Sequence, residues 1–160
     1  YHIPQMTGVP ITLGLIDRLT AAFPGVVAGL KDSSGKWDNT AAVIAAFPQI
    51  ETYSASESLL PQNVAAGGAG CISASANVNT AGIARLIRVL GTADEAAAAD
   101  QAAQVRRIFE GLPLIPAIKA AMARRTGAPG HAIVRPPLVA LAADHDGAIA
   151  AALSLCEGVP

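Results

Sequence analysis

Residues 26–35 read Val-Val-Ala-Gly-Leu-Lys-Asp-Ser-Ser-Gly, a run of apolar and small residues that ends in a lysine and then a polar loop. A stretch without polar alternation suits a strand of a parallel sheet enclosed between layers. The predicted strand covers 26–31. Lys31 then stands where the chain leaves the core, at the carboxyl edge, and α/β folds bind their ligands at that edge. Lysine is rarely buried without a partner. Lys31 is therefore either half of a structural ion pair, with Asp32 or Glu57, or a reacting group.

The flanking sequence repeats one pattern. Residues 11–23 carry Ile11, Leu15, Ile16, Leu19 and Phe23 at helical spacing, with Thr12 as a candidate N-cap and Pro24-Gly25 as the stop. After the strand, Asp38 is expected to cap a helix with Val43, Ile44 and Phe47 on its apolar side, ending at Pro48. Residues 50–54 read as a second strand and 57–66 as a short helix, where Gly67-Gly68 suits a left-handed C-terminal cap. A third strand is predicted over 70–74 and a helix over 80–90. Strands and helices alternate in units of roughly 20 residues, which makes repeated βα units of a parallel sheet. With right-handed crossovers this is a barrel or a doubly wound sheet, and periodicity leaves both open.

The pattern changes at Gly91. An Ala-rich helix is expected over 94–109, acidic at its start and with Arg106-Arg107 near its end, as the helix dipole favours. Another covers 114–125 and is stopped by Gly127, Arg135-Pro136-Pro137 marks an extended turn, and Asp146 opens a last helix ending near Cys156. The expected organisation is βα units over 1–92 and a helical C-terminal extension over 93–160.

Several chemistries are disfavoured. Gly29 to Lys36 has five residues between its glycines where a P-loop has four, and Trp37 stands at the position of the magnesium-binding hydroxyl. Gly67-Gly68-Ala69-Gly70 lacks dinucleotide spacing and comes before a strand. Ser54-Ala55-Ser56 has no flanking glycines for a nucleophile elbow. His2, His131 and His145 are scattered, so neither a metal site nor a cofactor is expected. A net charge of −1 gives no electrostatic case for nucleic acid or an acidic membrane surface. No apolar run approaches the roughly 20 residues of a membrane span. Cys71 and Cys156 are too few for a disulfide framework, in keeping with a cytoplasmic setting. With 52% hydrophobic and only 14% charged residues, an association interface is expected.

Lys31 remains. A lysine amine that loses hydration is driven toward its neutral form, and a neutral amine attacks ketones to form Schiff bases. Such chemistry needs a proton relay, and the phenol of Tyr1, ahead of an apparent turn between Pro4 and Gly8, is a candidate. The ordered series Tyr1-His2-Ile3-Pro4-x-x-Thr7-Gly8, Gly29-Leu30-Lys31-Asp32-Ser33-Ser34-Gly35 and Gly67-Gly68-Ala69-Gly70-Cys71-Ile72-Ser73 before Ala76-Asn77-Val78 resembles the dihydrodipicolinate synthase and N-acetylneuraminate lyase family of Schiff-base lyases. The resemblance runs through Arg135-Pro136-Pro137. It implies strands 5–8 of a (β/α)₈ TIM barrel, followed by a helical C-terminal domain. It also implies that Lys31 forms an imine with pyruvate or another 2-keto acid, that Tyr1 relays protons, and that an aldehyde is the second partner. Ser33 then matches a loop position near the substrate. Ala55 and Glu57 match positions meeting its distal part, although Glu57 could equally cap the following helix. Ile72 matches an apolar contact to the keto acid. Homotetramers are usual in the family.

The chain departs from that family at several points. His2 replaces the usual asparagine after the tyrosine. Met6 stands where dihydrodipicolinate synthases carry an arginine for a substrate carboxylate, and a thioether cannot make that contact. Ser58 stands where sialate lyases carry an acid. An aldolase-type lyase acting on a 2-keto acid is therefore expected ahead of lysine biosynthesis, with a non-catalytic keto-acid or sugar-acid binding member as the alternative. Four βα units of the family barrel have no counterpart in the sequence. The expectation is a fragment of a protein about twice as long, inactive by itself, because half a barrel leaves open strand edges.

Overall fold

Thr12 and Leu15 show how local sequence starts the first long helix: the Thr12 hydroxyl accepts the Leu15 N–H at 3.2 Å, an N-cap as predicted. The computed structural model describes Tyr1–Glu157. Its first part runs α1 (Pro4–Thr7), α2 (Leu13–Ala22), β1 (Gly29–Asp32), α3 (Trp37–Ala46), β2 (Glu51–Ser54), α4 (Leu60–Ala65) and β3 (Gly70–Cys71). The three strands form one parallel sheet in the order β1-β2-β3, with Lys31 beside Tyr53 and Tyr53 beside Gly70. His2 adds a single parallel bridge to Asp32 on the outer side of β1.

One face of this sheet is covered and the other is not. Along both β1 and β2, burial alternates: Leu30, Asp32, Thr52 and Ser54 are buried, while Gly29 and Glu51 are exposed and Lys31 and Tyr53 half-buried. Alternation of side chains across a strand assigns the buried set to the helix-covered face. There Leu30 packs with Ile16 of α2, Val43 of α3, Phe47 at the end of that helix, and Ile50. At β3 the backbone comes close to α4. Asn63 donates to the Thr52 carbonyl at 3.3 Å and accepts the Gly70 N–H at 3.0 Å, and a Cβ at Gly68 would fall 2.3 Å from Asn63 Oδ1.

Several expectations are corrected. The third strand is not 70–74 but Gly70–Cys71, because only Tyr53 and Ser54 of β2 offer it a ladder. Asp38 does not cap α3: Lys36 occupies the N-cap and Asp38 sits in the first turn, where its charge still suits the dipole. The helix over 57–66 divides into a 3-10 turn, Glu57–Leu59, and α4. Its glycine stop holds, with Gly67 at φ +94°.

The second part contains α5 (Thr80–Val89), α6 (Glu95–Glu110), α7 (Leu114–Thr126) and α8 (Asp146–Glu157). The core shared by α6, α7 and α8 is Val105, Phe109, Ala117, Ile118, Ala121, Ile149, Ala152 and Leu153, with Val78 from the segment before α5. The alanines let these helices approach closely. The guanidinium of Arg125 closes the chain segment before α5, donating to the Val78 carbonyl at 2.9 Å and the Asn77 carbonyl at 2.7 Å. Gly127, at φ +68°, ends α7, and Leu138 N–H bonds the Arg135 carbonyl at 2.9 Å across the Pro136-Pro137 turn.

By packing, the two compact units are Tyr1–Ser73 and a second beginning at Ala74. That division comes earlier than the change of composition at Gly91. The reason is α5: it buries Gly82, Ile83 and Leu86 and its Arg85 donates to Gln101 of α6 at 3.1 Å.

Candidate active site

The uncovered face of the sheet carries the chemistry. The His2 N–H donates to the Lys31 carbonyl at 2.9 Å and the Ser33 N–H to the His2 carbonyl at 2.8 Å. This register sets Tyr1 beside Lys31, with both side chains on the face that the helices leave open. The Tyr1 hydroxyl oxygen then accepts from Lys31 Nζ at 3.4 Å and from Ser33 Oγ at 3.2 Å. Lys31 Nζ also lies 4.5 Å from the centre of the Tyr1 ring, within cation–π range.

These contacts favour the phenolate. The Ser33 hydrogen bond lowers the Tyr1 phenol below the ordinary tyrosine value; burial is the next largest effect and opposes it, and the hydrogen bond and charge of Lys31 add smaller lowering contributions. A phenol so held gives and takes a proton more readily than a free tyrosine.

The ion-pair alternative for Lys31 with Asp32 is not realised, for a simple geometric reason. Consecutive residues of a strand point to opposite faces, and Asp32 points into the covered side, 3% exposed. There its Oδ1 accepts the Ser34 N–H at 2.8 Å, and its Oδ2 accepts from Asn39 Nδ2 and Thr40 Oγ1, each at 2.8 Å. Burial raises the Asp32 carboxyl; the hydrogen bonds, led by Asn39, outweigh it and hold the group below the ordinary carboxylate range.

The other predicted residues fall in two places. Ser33, Ala55 and Ile72 follow one another across the sheet just past the strand ends, with Ala55 N–H on the Asp32 carbonyl at 3.0 Å and Ile72 N–H on the Ser54 carbonyl at 2.9 Å. The two-residue period puts them on the face of Lys31, and Ile72 is 47% exposed there. Glu57 is elsewhere: it is wholly enclosed and its carboxylate accepts the Ser73 hydroxyl at 2.5 Å. Met6, in α1, is exposed.

Sequence reasoning missed the support behind the pair. His2 is buried at 4% exposure, and Asn39 and Thr40 bind Asp32 from the first turn of α3. The available clue was the spacing of seven and eight residues from a strand-end acid to the next helix start. Tyr53 was also passed over. It neighbours Lys31 in the sheet and donates to Glu51 at 2.6 Å, which raises its phenol above the ordinary value. Among the described residues no group of three or more His, Cys, Asp or Glu is placed to hold a metal ion. No described helix is long and apolar enough to cross a membrane.

Parallel strands joined by helices, with lysine, phenol and hydroxyl gathered past their carboxyl ends, define an α/β chain of the kind that builds its site on strand ends. Residues 1–155 match the Dihydrodipicolinate synthetase family, and the chain belongs to it. An uncharacterized DapA-like lyase of Chloroflexus aurantiacus is 36% identical over 157 residues, which are 95% of this chain and 51% of that protein. The 4-hydroxy-tetrahydrodipicolinate synthase of Listeria monocytogenes is 36% identical over 116 residues, 72% of this chain and 37% of that protein. The crystal structure of dihydrodipicolinate synthase from Agrobacterium tumefaciens superposes with a TM-score of 0.81 at 31% identity, covering 98% of this chain and 52% of that one. The chain thus spans about half the length, or less, of the curated relatives it matches.

Proposed function

We propose that this chain supplies the reacting half of a Schiff-base lyase or aldolase for pyruvate or a related 2-keto acid. In this reading β1, β2 and β3 are strands six to eight of a (β/α)₈ barrel, and the segment at Tyr1-His2 is the end of strand five. The open sheet face becomes the barrel interior once four further βα units close it. The observation that carries the reading is the contact of Lys31 Nζ with the Tyr1 hydroxyl at 3.4 Å, shared with Ser33. Membership of a family whose members are named as lyases supports it.

The chemistry follows from those three groups. Once Lys31 has passed a proton to the Tyr1 oxygen, its amine forms a C–N bond to the keto carbon while the carbonyl oxygen takes a proton, giving a carbinolamine. Loss of that oxygen as water leaves the C=N imine. Tyr1 carries the protons, giving one to the departing oxygen and regaining one from the nitrogen, and Ser33 holds its oxygen in place. In the aldol direction the imine first loses a proton from its neighbouring carbon to the Tyr1 oxygen; the resulting enamine forms the C–C bond to an aldehyde carbon, the C=N imine is restored, and the aldehyde oxygen gains the proton. In cleavage the hydroxyl proton leaves, the C–C bond breaks and the imine accepts the electron pair. Ile72 and Ala55 line the same face as apolar walls. In this reading the groups that hold the acid's carboxylate belong to the units that complete the barrel.

The test is trapping. The full-length protein incubated with pyruvate and borohydride gains the mass of a reduced adduct, located on Lys31 by peptide mapping, and Lys31→Arg gains none. Binding of pyruvate without any adduct on Lys31 would replace this reading by the non-catalytic one.

A further inference from the structure

Tyr1 and Lys31 are neighbours of a second pair, one residue along each segment and on the opposite face. His2 follows Tyr1 and Asp32 follows Lys31. The two pairs share the same backbone: the His2 N–H and carbonyl make the two hydrogen bonds that join the Tyr1 segment to β1, at 2.9 and 2.8 Å. Among the described residues no other β-bridge joins this segment to the sheet; farther along it, Gln5 Nε2 donates to the Ser33 carbonyl at 2.7 Å.

The His2 ring is held by one hydrogen bond and lies beside a carboxylate at longer range. Nδ1 accepts the Ile11 N–H at 3.1 Å, which leaves Nε2 as the N–H, 3.9 Å from Asp32 Oδ1. Asp32 is itself tied to Asn39 and Thr40 of α3 and to the Ser34 N–H. A chain of contacts therefore runs from the loop before α2, through His2, to the carboxylate behind Lys31. The ring is enclosed and touches neither Tyr1 nor Lys31 through a side-chain hydrogen bond, so its influence on them is by placement.

We infer that His2 is a positioning residue of the Tyr1–Lys31 site: bonded to the Ile11 N–H and enclosed beside Asp32 on the covered face, it fixes the register that sets the phenol against the amine on the open face. The inference rests on the Schiff-base reading for its consequence in catalysis and on the geometry alone for its effect on the phenol. Displacing a reacting group by about 1 Å can cost on the order of a hundredfold in rate, and a two-bond bridge held at one residue is sensitive to that residue.

Three variants of the full-length protein separate placement from folding. His2→Asn keeps an acceptor at the Nδ1 position for Ile11, His2→Gln keeps a donor toward Asp32, and His2→Ala keeps neither. Thermal melts first establish that each variant folds. The readouts are the Tyr1 phenol titration, taken as the absorbance difference against Tyr1→Phe in each background, and the rate of borohydride trapping with pyruvate. In His2→Ala the phenol moves up toward the ordinary tyrosine value and trapping slows roughly tenfold to a hundredfold; His2→Asn restores both. A folded His2→Ala with an unmoved phenol overturns the inference, as does a His2→Asn that behaves like His2→Ala. If the parent protein forms no adduct, the Schiff-base reading fails, while the phenol titration still decides the positioning role.

Discussion

Asp32→Asn tests how the strand bearing Lys31 is held from behind. In the parent, one carboxylate serves three donors at 2.8 Å, the Ser34 N–H on Oδ1 and Asn39 and Thr40 on Oδ2. An amide has one oxygen. Its better orientation keeps that oxygen toward Asn39 and Thr40 and turns the amino group on the Ser34 N–H, so one charge-assisted bond is lost and two donors face each other. A hydrogen bond to a charged group contributes about 1.5–3 kcal/mol, and a buried donor left unmade costs about 1–3 kcal/mol. Ser34 is half-buried, so water recovers part of this, and the expected loss is about 2–3 kcal/mol. Urea unfolding followed by Trp37 fluorescence reads it directly, since Trp37 is the single tryptophan of the sequence and begins α3.

Acid adds a second signature of the same group. The folded Asp32 carboxyl lies below its ordinary value, so its contribution is present above the unfolded value of about 3.9 and is lost as pH falls through the folded one. Asp32→Asn has no such group and loses that part of the acid dependence. A loss below about 1 kcal/mol at neutral pH, or identical acid slopes in both proteins, would refute the reasoning.

Ser33→Ala removes the largest cause that lowers the Tyr1 phenol, so the Tyr1 titration moves up while that of Tyr53, bonded to Glu51, stays; spectrophotometric titration checks both. Tyr1→Phe slows turnover of the full-length protein by about 10²-fold or more, the scale of positioned acid–base catalysis, and steady-state kinetics with unchanged turnover would remove Tyr1 from the relay. Phe109→Ala empties the core of the second unit, where Phe109 is fully buried, and costs about 3–5 kcal/mol in denaturant unfolding.

Much of this was legible in the chain because it depends on neighbours in sequence. Thr12 caps α2 since its hydroxyl reaches an N–H three residues on; Gly127 stops α7 since a left-handed turn costs glycine little. The order of strand and helix followed from periodicity, and the motif series pointed to Lys31 and Tyr1. What was misread depends on partners far along the chain. Asp38 looked like a cap, yet it lies inside the first turn of α3, after Lys36. The strand at 70–74 looked longer than its partner in β2 allowed.

Local chemistry alone therefore determined which segments become strands and helices and which amine could react, because caps, turns and apolar periods act over a few residues. Only the tertiary structure decided what those residues touch. The parallel register set Tyr1 against Lys31, and strand alternation turned Asp32 away toward α3, excluding the ion pair that adjacency had suggested. The same packing enclosed Glu57 on Ser73 and buried His2 against Ile11 and Asp32. These contacts join residues up to 32 positions apart, and no local preference can specify a pairing at that distance; the sheet that brings them together does.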